Sequence, residues 1–473
     1  MTQPLADTLA AHAAALRFED LPPAVVHEAK RRVLDSIGCA LGAWSDEPCV
    51  IARRVASDLS AKKGATLWGT DHAAPPDWAA FANGILVRYL DYNDTYLSKE
   101  PAHPSDNIPA AIAAAQAAGA SGRELIAAIV LAYEVQCRLC DAASLRAIGW
   151  DHVTYGAFST AAAAAKLMKL DAAKIAEALG IAGVASAALR QSRVGKLSHW
   201  KGAAFANAAR HGVFAAMLAA AGMTGPSPIF EGEKGFEKLV SGPLQLHGLL
   251  VGEKEQRGLM ILRTSIKCWP VEYHAQSAVQ AALEVRAEAL RHAAAQPPDS
   301  SPDSSPPIQS VLIESHDASV DIIGTGAEKW RPATRETADH SLPYIVAAAL
   351  MDGQITAESF SPQRFTDPKL LAFLPRVQVQ RNVELSARYP GSVGNIVTAT
   401  LANGREISKR VDDPLGHARN PMTDAQVADK FHRQADPLLG RAAAEAVADW
   451  VNQLESQSKI DELFPLLRVG GKA

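Results

Sequence analysis

One histidine and four carboxylates share the segment LDYNDTYLSKEPAHPSDN, residues 90–107. Two prolines flank His103 and predict an extended loop, and the acidic residues of the segment are Asp91, Asp94, Glu100 and Asp106. A carboxylate beside a histidine fixes its tautomer and shifts its pKa, which suits proton transfer at carbon or oxygen. Asp91 and Thr95 would share a helix face if the helix from Phe81 continues that far. The alternative is a helix end followed by a polar turn, and the spacing leaves both open.

A second histidine lies in GWDHVTYG, residues 149–156. His152 follows small and aromatic residues and precedes an alanine-rich stretch that predicts a helix. A histidine in such a loop is a candidate acid or base, although a buried, hydrogen-bonded histidine explains the same pattern.

Basic side chains are concentrated in RQSRVGKLSHWKGAA, residues 190–204, just before another predicted helix. They are Arg190, Arg193, Lys196, His199 and Lys201. Cations next to a helix N-terminus can hold a carboxylate, whereas the structural alternative is a solvated basic loop.

A fourth group of polar residues lies in SIKCWPVEYHAQSAV, residues 265–279. Lys267, Glu272 and His274 surround a Trp-Pro turn at a predicted domain boundary. Clefts between domains commonly bind small ligands, so Lys267 and His274 are candidate substrate contacts.

Composition restricts the class of protein that can contain these groups. The chain has 473 residues, 48% of them hydrophobic, and a formal net charge of −4 with its basic residues dispersed. This pattern argues against binding of nucleic acid or of a membrane surface. No nucleotide-binding glycine loop and no nucleophile elbow are present, so the chemistry must come from acidic, basic and cationic side chains. The N-terminal residues lack a signal-peptide pattern, so we expect a cytoplasmic protein.

The five cysteines predict neither a disulfide framework nor a metal centre. Cys137 and Cys140 form a C-x-x-C in a helix-patterned run without a second pair, and Cys39, Cys49 and Cys268 lie in unrelated contexts. A structural zinc or an iron-sulfur cluster needs more thiolates than this, so we expect no metal and no cofactor.

Hydrophobic periodicity predicts a mainly α protein with a large all-helical domain and a smaller α+β domain. From Val25 to Leu41 apolar residues recur every fourth position, and several alanine-rich runs follow, which predicts a helical domain over 1–265. The α+β domain is predicted over 266–419, and 420–473 returns to helical periodicity and completes the first domain. Asn403-Gly404 predicts a type I′ hairpin, and the Pro/Ser stretch 297–307 predicts a mobile loop.

Six blocks of the chain, in order, resemble the MmgE/PrpD family, whose members include 2-methylcitrate dehydratase and cis-aconitate decarboxylase. The blocks are LDYNDTYLSKEPAHPSDN, GWDHVTYG, HWKGAAFANAARHG, KCWPVEYHAQSAV, DHSLPYIVAAALMDG and PGSVGNIVTATLANG. The resemblance covers nearly the whole chain. It implies that the smaller domain is lid-like, that the chain is a homodimer, and that a cofactor-free active site lies in the cleft between domains.

The same resemblance implies individual site residues. The implied catalytic residues are Asp91, His103, His152, Lys201 and Tyr344, and the implied substrate contacts are Thr95, Lys267 and His274. One position departs from the decarboxylase branch, which has a histidine where this chain has Glu272. The form PVEYHAQSAV, with His274, is similar to the dehydratase branch.

The resemblance therefore implies dehydration of a small tricarboxylate, most simply of 2-methylcitrate to 2-methyl-cis-aconitate in propionate metabolism. Such an enzyme must remove a proton from carbon, stabilise the charge that develops and protonate the departing hydroxyl. Lys201 and Lys267 are candidates for the stabilising cations, and His103 and His152 for the acid and base in either order. Asp91 would orient one histidine, and the implied tyrosine would offer a proton or a hydrogen bond.

Two alternatives remain open at the level of the sequence. The first is decarboxylation or isomerisation of cis-aconitate or a related polycarboxylate, which could use the same cations and the same acid/base pair. The second is a non-catalytic polycarboxylate-binding protein, which would bind its ligand without turnover at any pH.

Overall fold

The structure is a computed structural model that describes residues 3–61, 63–195, 197–246, 259–294 and 308–470. The Pro/Ser stretch 297–307, predicted to be a mobile loop, and Lys196 lie outside the described residues. The chain divides into two compact units, Met1–Ile266 with Thr423–Ala473, and Lys267–Met422.

The first unit is almost entirely helical. Its helices are α1 (Leu5–Ala15), α2 (Pro23–Gly42), α3 (Glu47–Ser57), α4 (Pro76–Arg88), α5 (Ile108–Ala118), α6 (Gly122–Ala142), α7 (Thr154–Leu167), α8 (Ala172–Ala185), α9 (Trp200–Ala220), and, after the second unit, α18 (Asp424–Leu439), α19 (Arg441–Asn452) and α20 (Leu463–Leu466). Two short antiparallel strands, β1 (Ala65–Thr66) and β2 (Ala73–Ala74), precede α4. Val25, Ala29, Val33 and Ile37 lie fully buried along α2, which confirms the predicted amphipathic helix.

Glycines allow the helices of this unit to approach one another closely. A Cβ atom on Gly84 of α4 would lie 2.9 Å from the Cβ atom of Ala206 on α9, and one on Gly212 would lie 2.8 Å from the backbone of α7. At the start of α9, a Cβ atom on Gly202 would lie 3.2 Å from the ring of Tyr89. Larger side chains at these positions would push the helices apart. The close packing therefore brings the end of α4 next to the first turn of α9.

Helix α18 returns to the first unit and packs against α2. It begins with a capping box, in which the Thr423 hydroxyl and the Gln426 side chain each bind the other residue's backbone amide. A Cβ atom on Gly38 of α2 would lie 3.2 Å from the Cα atom of Phe431, so the two helices approach too closely for a larger side chain at position 38. Among the described residues, no helix is both long enough and apolar enough to cross a membrane.

The second unit combines a mixed sheet with helices. Its helices are α10 (Gln276–Ala294), α11 (Asp317–Ile323), α12 (Ala327–Trp330), α13 (Arg335–Ala338), α14 (Leu342–Asp352), α15 (Pro362–Phe365), α16 (Pro368–Phe373) and α17 (Val383–Arg388). Its strands are β3 (Ile308–Ser315), β4 (Val377–Arg381), β5 (Asn395–Leu401) and β6 (Glu406–Val411). The strand order is β4-β3-β5-β6, with β4 parallel to β3 and the other pairs antiparallel. Helices α10 and α14 cover the sheet, and the predicted α+β character is confirmed.

The β5–β6 hairpin is present, but its turn differs from the prediction. A type I′ turn needs positive φ at both central residues, and Gly404 has φ of 80° while Asn403 does not have a positive φ. The Gly404 amide instead donates to the carbonyl oxygen of Leu401, and the Arg405 amide donates to the Asn403 side chain. The loop is one residue longer than the predicted turn, and the side-chain contact of Asn403 replaces the second left-handed residue.

Candidate active site

The first cluster of predicted site residues surrounds Asp91. Helix α4 ends at Arg88, and the Asp91 amide closes a turn by donating to the Arg88 carbonyl oxygen at 3.1 Å. Asp91 has a left-handed backbone, with φ of 51°, and Thr95 is extended and pairs with Ser265. The two residues therefore do not share a helix face, because the turn stops the helix before Asp91 and the condition for a shared face is not met.

The Asp91 carboxylate lies between two buried cations. Its Oδ1 accepts a hydrogen bond from the Arg88 guanidinium at 2.7 Å, and its Oδ2 lies 3.4 Å from Nζ of Lys201. Lys201 is in the first turn of α9 and exposes 6% of its surface. A cation fixed in a largely dehydrated place can stabilise negative charge that develops on a bound molecule far better than one in water.

Asp94 fixes the position of His103. The backbone carbonyl oxygen of Asp94 lies 2.7 Å from Nδ1 of His103, and its carboxylate accepts from the Ser105 amide at 2.8 Å and from the Tyr133 hydroxyl at 2.7 Å. Because a carbonyl only accepts, the hydrogen of the neutral ring belongs on Nδ1 and Nε2 carries the lone pair. His103 lies in a loop, directly before a 3₁₀ turn at Pro104–Asn107. The prolines predicted an extended loop and did not predict this turn.

Asn93 and Asp106 connect this loop to the Asp91 cluster. The Asn93 amide group donates to Ser105 Oγ at 2.8 Å and to Asp106 Oδ1 at 2.7 Å, and Asp106 Oδ2 lies 3.7 Å from Nε of Arg88. Burial raises the pKa of Asp106 to about 7, although the Arg88 charge acts in the opposite direction. Asp91 thus lies against Lys201, whereas Asp94 and Asp106 hold the loop that contains His103.

A carboxylate and an arginine hold His152. Asp151 Oδ1 lies 3.0 Å from Nδ1 of His152, and the Arg193 Nε is 3.0 Å from both oxygens of the same carboxylate. The Ser192 hydroxyl donates to Asp151 Oδ2 at 2.6 Å. Burial would raise the pKa of Asp151, but Arg193 and His152 hold it well below its usual range. His152 therefore presents Nδ1–H to a permanent anion, which fixes its tautomer.

The two predicted acid/base residues lie side by side. Burial and the Arg193 charge lower the pKa of His152, so its ring is neutral near pH 7. Its Nε2 is buried and has no hydrogen-bond partner among the described residues. The rings of His103 and His152 are 6.0 Å apart between centroids. One small molecule can therefore contact both rings, as proton transfer at two neighbouring atoms requires.

Arg193 is expected to control the pKa of His152. Replacing it in Arg193→Gln removes a cation that disfavours the imidazolium, while Asp151 and the more distant Glu100 continue to favour it. The pKa of His152 should therefore rise. Titration of the imidazole signals by NMR would measure the change.

Arg190 provides a matched control for this variant. It lies in the same 3₁₀ turn, Arg190–Arg193, but does not bind the Asp151 carboxylate in the described hydrogen bonds. Arg190→Gln should change the pKa of His152 less than Arg193→Gln does. An unchanged or lowered pKa in Arg193→Gln would contradict the assigned role of the guanidinium.

The second unit contains its own polar cluster around His274. Nδ1 of His274 lies 2.7 Å from Glu272 Oε1, and its Nε2 lies 3.3 Å from the Tyr389 hydroxyl. Burial would raise the pKa of Glu272, but His274, with smaller effects from other cations, lowers it to about 2. The ring of His316 stacks on Tyr389 with centroids 4.7 Å apart, and Lys267 is almost completely buried.

Two predicted site residues have contacts typical of structural positions. The Thr95 hydroxyl donates to the carbonyl oxygen of Ala102 at 3.2 Å, which closes the loop that contains His103. Tyr344 is fully buried in the apolar core of the second unit, where its hydroxyl donates to the Ser359 carbonyl oxygen at 2.6 Å. Their roles in catalysis and substrate binding stay predictions.

Sequence reasoning missed Asp151 and gave Arg193 a different task. Asp151 precedes His152 directly in GWDHVTYG, so the pair was visible in the sequence. For Arg193 the sequence left open a cradle for a ligand carboxylate and a solvated basic loop, whereas the guanidinium binds the protein's own Asp151. Nothing in the sequence shows that a residue 42 positions later completes this group.

Cys137 and Cys140 have the properties of buried structural residues. Burial raises the pKa of the Cys137 and Cys140 thiols on α6 well above the usual value, which disfavours the thiolate that metals bind. In the part of the chain that the structure describes, no group of three or more His, Cys, Asp or Glu residues is arranged to hold a metal ion.

Comparison with known proteins identifies similar sequences. The MmgE/PrpD N-terminal domain model matches residues 7–248, and the C-terminal domain model matches residues 269–456. A 2-methylcitrate dehydratase from Cupriavidus necator is 30% identical over 85% of this chain and 84% of its own. The cis-aconitate decarboxylase of Homo sapiens is 26% identical over 99% of this chain and 95% of its own. A 2-methylcitrate dehydratase from Escherichia coli strain K12 is 27% identical over 84% of this chain and 83% of its own.

Proposed function

Since the chain belongs to the MmgE/PrpD family, we propose that it is a hydro-lyase that converts 2-methylcitrate to 2-methyl-cis-aconitate in propionate metabolism. The observation that carries this proposal is the pairing of a neutral, carboxylate-bound His152 with His103, in the same unit as the buried Lys201 ammonium. The relatives named 2-methylcitrate dehydratase support the choice of substrate.

In this mechanism His152 is the base. Its Nδ1–H is held by Asp151, so Nε2 offers its lone pair to a proton on the carbon next to a substrate carboxylate. The electron pair left on that carbon delocalises into the carboxylate, where Lys201 stabilises the added negative charge. A Brønsted base that is neutral near pH 7 is suited to this step.

His103 is the acid of the same mechanism. It acts in its imidazolium form: Nδ1–H stays on the Asp94 carbonyl oxygen, and the proton of Nε2–H passes to the departing hydroxyl, which leaves the neutral ring. The carbon–oxygen bond breaks, the carbon–carbon double bond forms, and water leaves. Before the next turnover His152 gives its proton to solvent and His103 takes one up. Contact of the substrate with Lys267 and His274, which lie in the second unit, stays a prediction.

A panel of substrates tests the proposal. We expect 2-methylcitrate to lose water, citrate to react more slowly, and cis-aconitate to release no carbon dioxide above background, with products followed by mass spectrometry. Carbon dioxide release from cis-aconitate at a comparable rate would identify a decarboxylase, the alternative favoured by the relative of that name. Saturable binding of tricarboxylates by calorimetry with no turnover at any pH would identify a binding protein.

Turnover is expected to be independent of metal ions. The proposed chemistry uses only the imidazole and ammonium groups of His103, His152 and Lys201, so no Lewis acid is needed. Treatment with a chelator followed by desalting should leave kcat unchanged. Loss of activity after chelation, restored by iron, would contradict the proposal.

We propose that the protein is a cytoplasmic homodimer. The odd number of cysteines, five in a chain of 473 residues, supports a reducing compartment. The homodimer is supported by large apolar side chains that are exposed around the end of α8 and along α9, namely Val184, Leu189, Val194, Trp200 and Phe214.

The mass in solution tests the homodimer. Light scattering after gel filtration should give twice the chain mass for the wild type, and Phe214→Glu should lower the measured mass. Val383→Glu, at an exposed valine of the second unit, is the control, and a monomeric wild type would refute the proposal.

A further inference from the structure

The backbone of Asp91 is held in an unfavourable conformation. Its φ of 51° places a residue with a side chain in the left-handed region, and the residue is buried. Such conformations persist only when neighbouring groups hold them. On the N-terminal side, the Arg88 carbonyl and guanidinium groups both bind Asp91.

On the C-terminal side, the holding group comes from α18. Nζ of Lys430 donates to the carbonyl oxygen of Tyr92 at 2.7 Å and lies 3.9 Å from the centroid of the Tyr92 ring. Tyr92 directly follows Asp91, so the ammonium group binds the second peptide group after the left-handed residue, the one between Tyr92 and Asn93. Lys430 lies 338 positions away in sequence, and nothing near it indicated a link to this segment.

Lys430 is itself held by a carboxylate on α2. Its Nζ lies 2.6 Å from Asp35 Oδ1, and both side chains expose only 1% of their surface. Removing two charges from water is costly, and apolar residues of similar volume often stabilise a fold at least as well. A buried pair of this kind is therefore better explained by what it positions than by stability alone.

We infer that Lys430 is a positioning residue, which fixes the Tyr92 carbonyl and so directs the Asp91 carboxylate to Lys201. The inference rests on the proposed function for its effect on catalysis. Lys430 acts through the backbone and has no role in contacting substrate. Its effect should appear in kcat more than in KM, because a displaced Asp91 misplaces the ammonium that stabilises charge in the transition state.

A second lysine provides a matched control. Nζ of Lys30 on α2 lies 2.8 Å from Glu455 Oε1 and donates to the Asn452 carbonyl oxygen at 2.9 Å. It therefore joins the C-terminal part of the chain to α2 through a carboxylate and a carbonyl, as Lys430 does. It does not touch the segment that contains Asp91 in the described hydrogen bonds.

The test compares two neutralised pairs, Lys430→Met with Asp35→Asn, and Lys30→Met with Glu455→Gln. Neutralising both partners avoids a buried unpaired charge, which could prevent folding. We expect the first double variant to keep its circular dichroism spectrum, to lose kcat about tenfold or more, and to exchange backbone amide hydrogens faster in residues 89–96. The second should retain kcat and the exchange rates of this segment.

Two outcomes would overturn the inference. Equal kcat and equal exchange in the two double variants would show that Lys430 only anchors α18. If the first double variant does not fold, Lys430→Gln is measured instead. Normal amide exchange in residues 89–96 and normal kcat in that variant would also show that Lys430 only anchors α18. If the wild type turns over none of the tricarboxylates, the proposed function fails, and faster exchange in residues 89–96 of the first variant alone would still support the positioning role.

Discussion

His103→Ala is expected to lower kcat about a hundredfold or more while the fold stays intact. The side chain makes its hydrogen bond to the Asp94 carbonyl oxygen from a partly exposed loop position, so it contributes little to packing. The loop itself is held by contacts of Asp94 and Asn93 that the substitution does not remove. Steady-state kinetics with 2-methylcitrate and circular dichroism would measure both effects.

An exposed histidine of the same unit gives the control for this substitution. His72→Ala, in the loop between β1 and β2, should leave kcat unchanged. If His103→Ala also keeps near-normal kcat, then the segment is a structural turn and His103 is not the acid.

Lys201→Met is expected to lower kcat/KM by about two to three orders of magnitude, the usual effect of removing one group that stabilises transition-state charge. Methionine fills a similar volume, and Asp91 keeps its bond to Arg88 at 2.7 Å, so no carboxylate is left unpaired. Most of the loss should appear in kcat, because the ammonium matters most when negative charge develops on the substrate.

Lys166→Met is the matched control for Lys201. Lys166 is a partly buried lysine of the neighbouring helix α7, and its Nζ donates to the Ala13 carbonyl oxygen at 2.8 Å. Its replacement should lower the free energy of unfolding without a comparable loss of kcat/KM. Equal losses in the two variants would mean that Lys201 supports the fold and takes no part in the chemistry.

The helices were predictable because their signal is local. The four-residue recurrence along α2 and the alanine-rich composition of α9 are properties of adjacent residues, and the structure confirms both helices. The end of α4 was less predictable, since it depends on a turn between Arg88 and Asp91 that competes with helix continuation. The turn after β5 has the same limitation, because the Asn403 side chain selects among turns of similar energy.

The candidate site was predictable as a set of residue types but less so as an arrangement. His103 and His152 were selected from separate segments, and the structure brings their rings together. Their supporting residues are distant in sequence, so neither the Arg193–Asp151 contact nor the Lys430–Tyr92 contact has a local pattern. In a sequence, a buried polar residue that positions a catalytic side chain cannot be distinguished from a polar residue on the surface, because burial depends on the whole fold.

The return of α18 to α2 has a consequence for synthesis on the ribosome. Residues 424–439 are translated after the entire second unit, so the nascent chain holds α2 and the Asp91 segment long before Lys430 exists. Until then Asp35 has no ammonium partner. Its burial therefore either favours the protonated carboxyl group or delays the packing of this side of the unit. Partial chains released before residue 430 should therefore be inactive even though most of their helices can form.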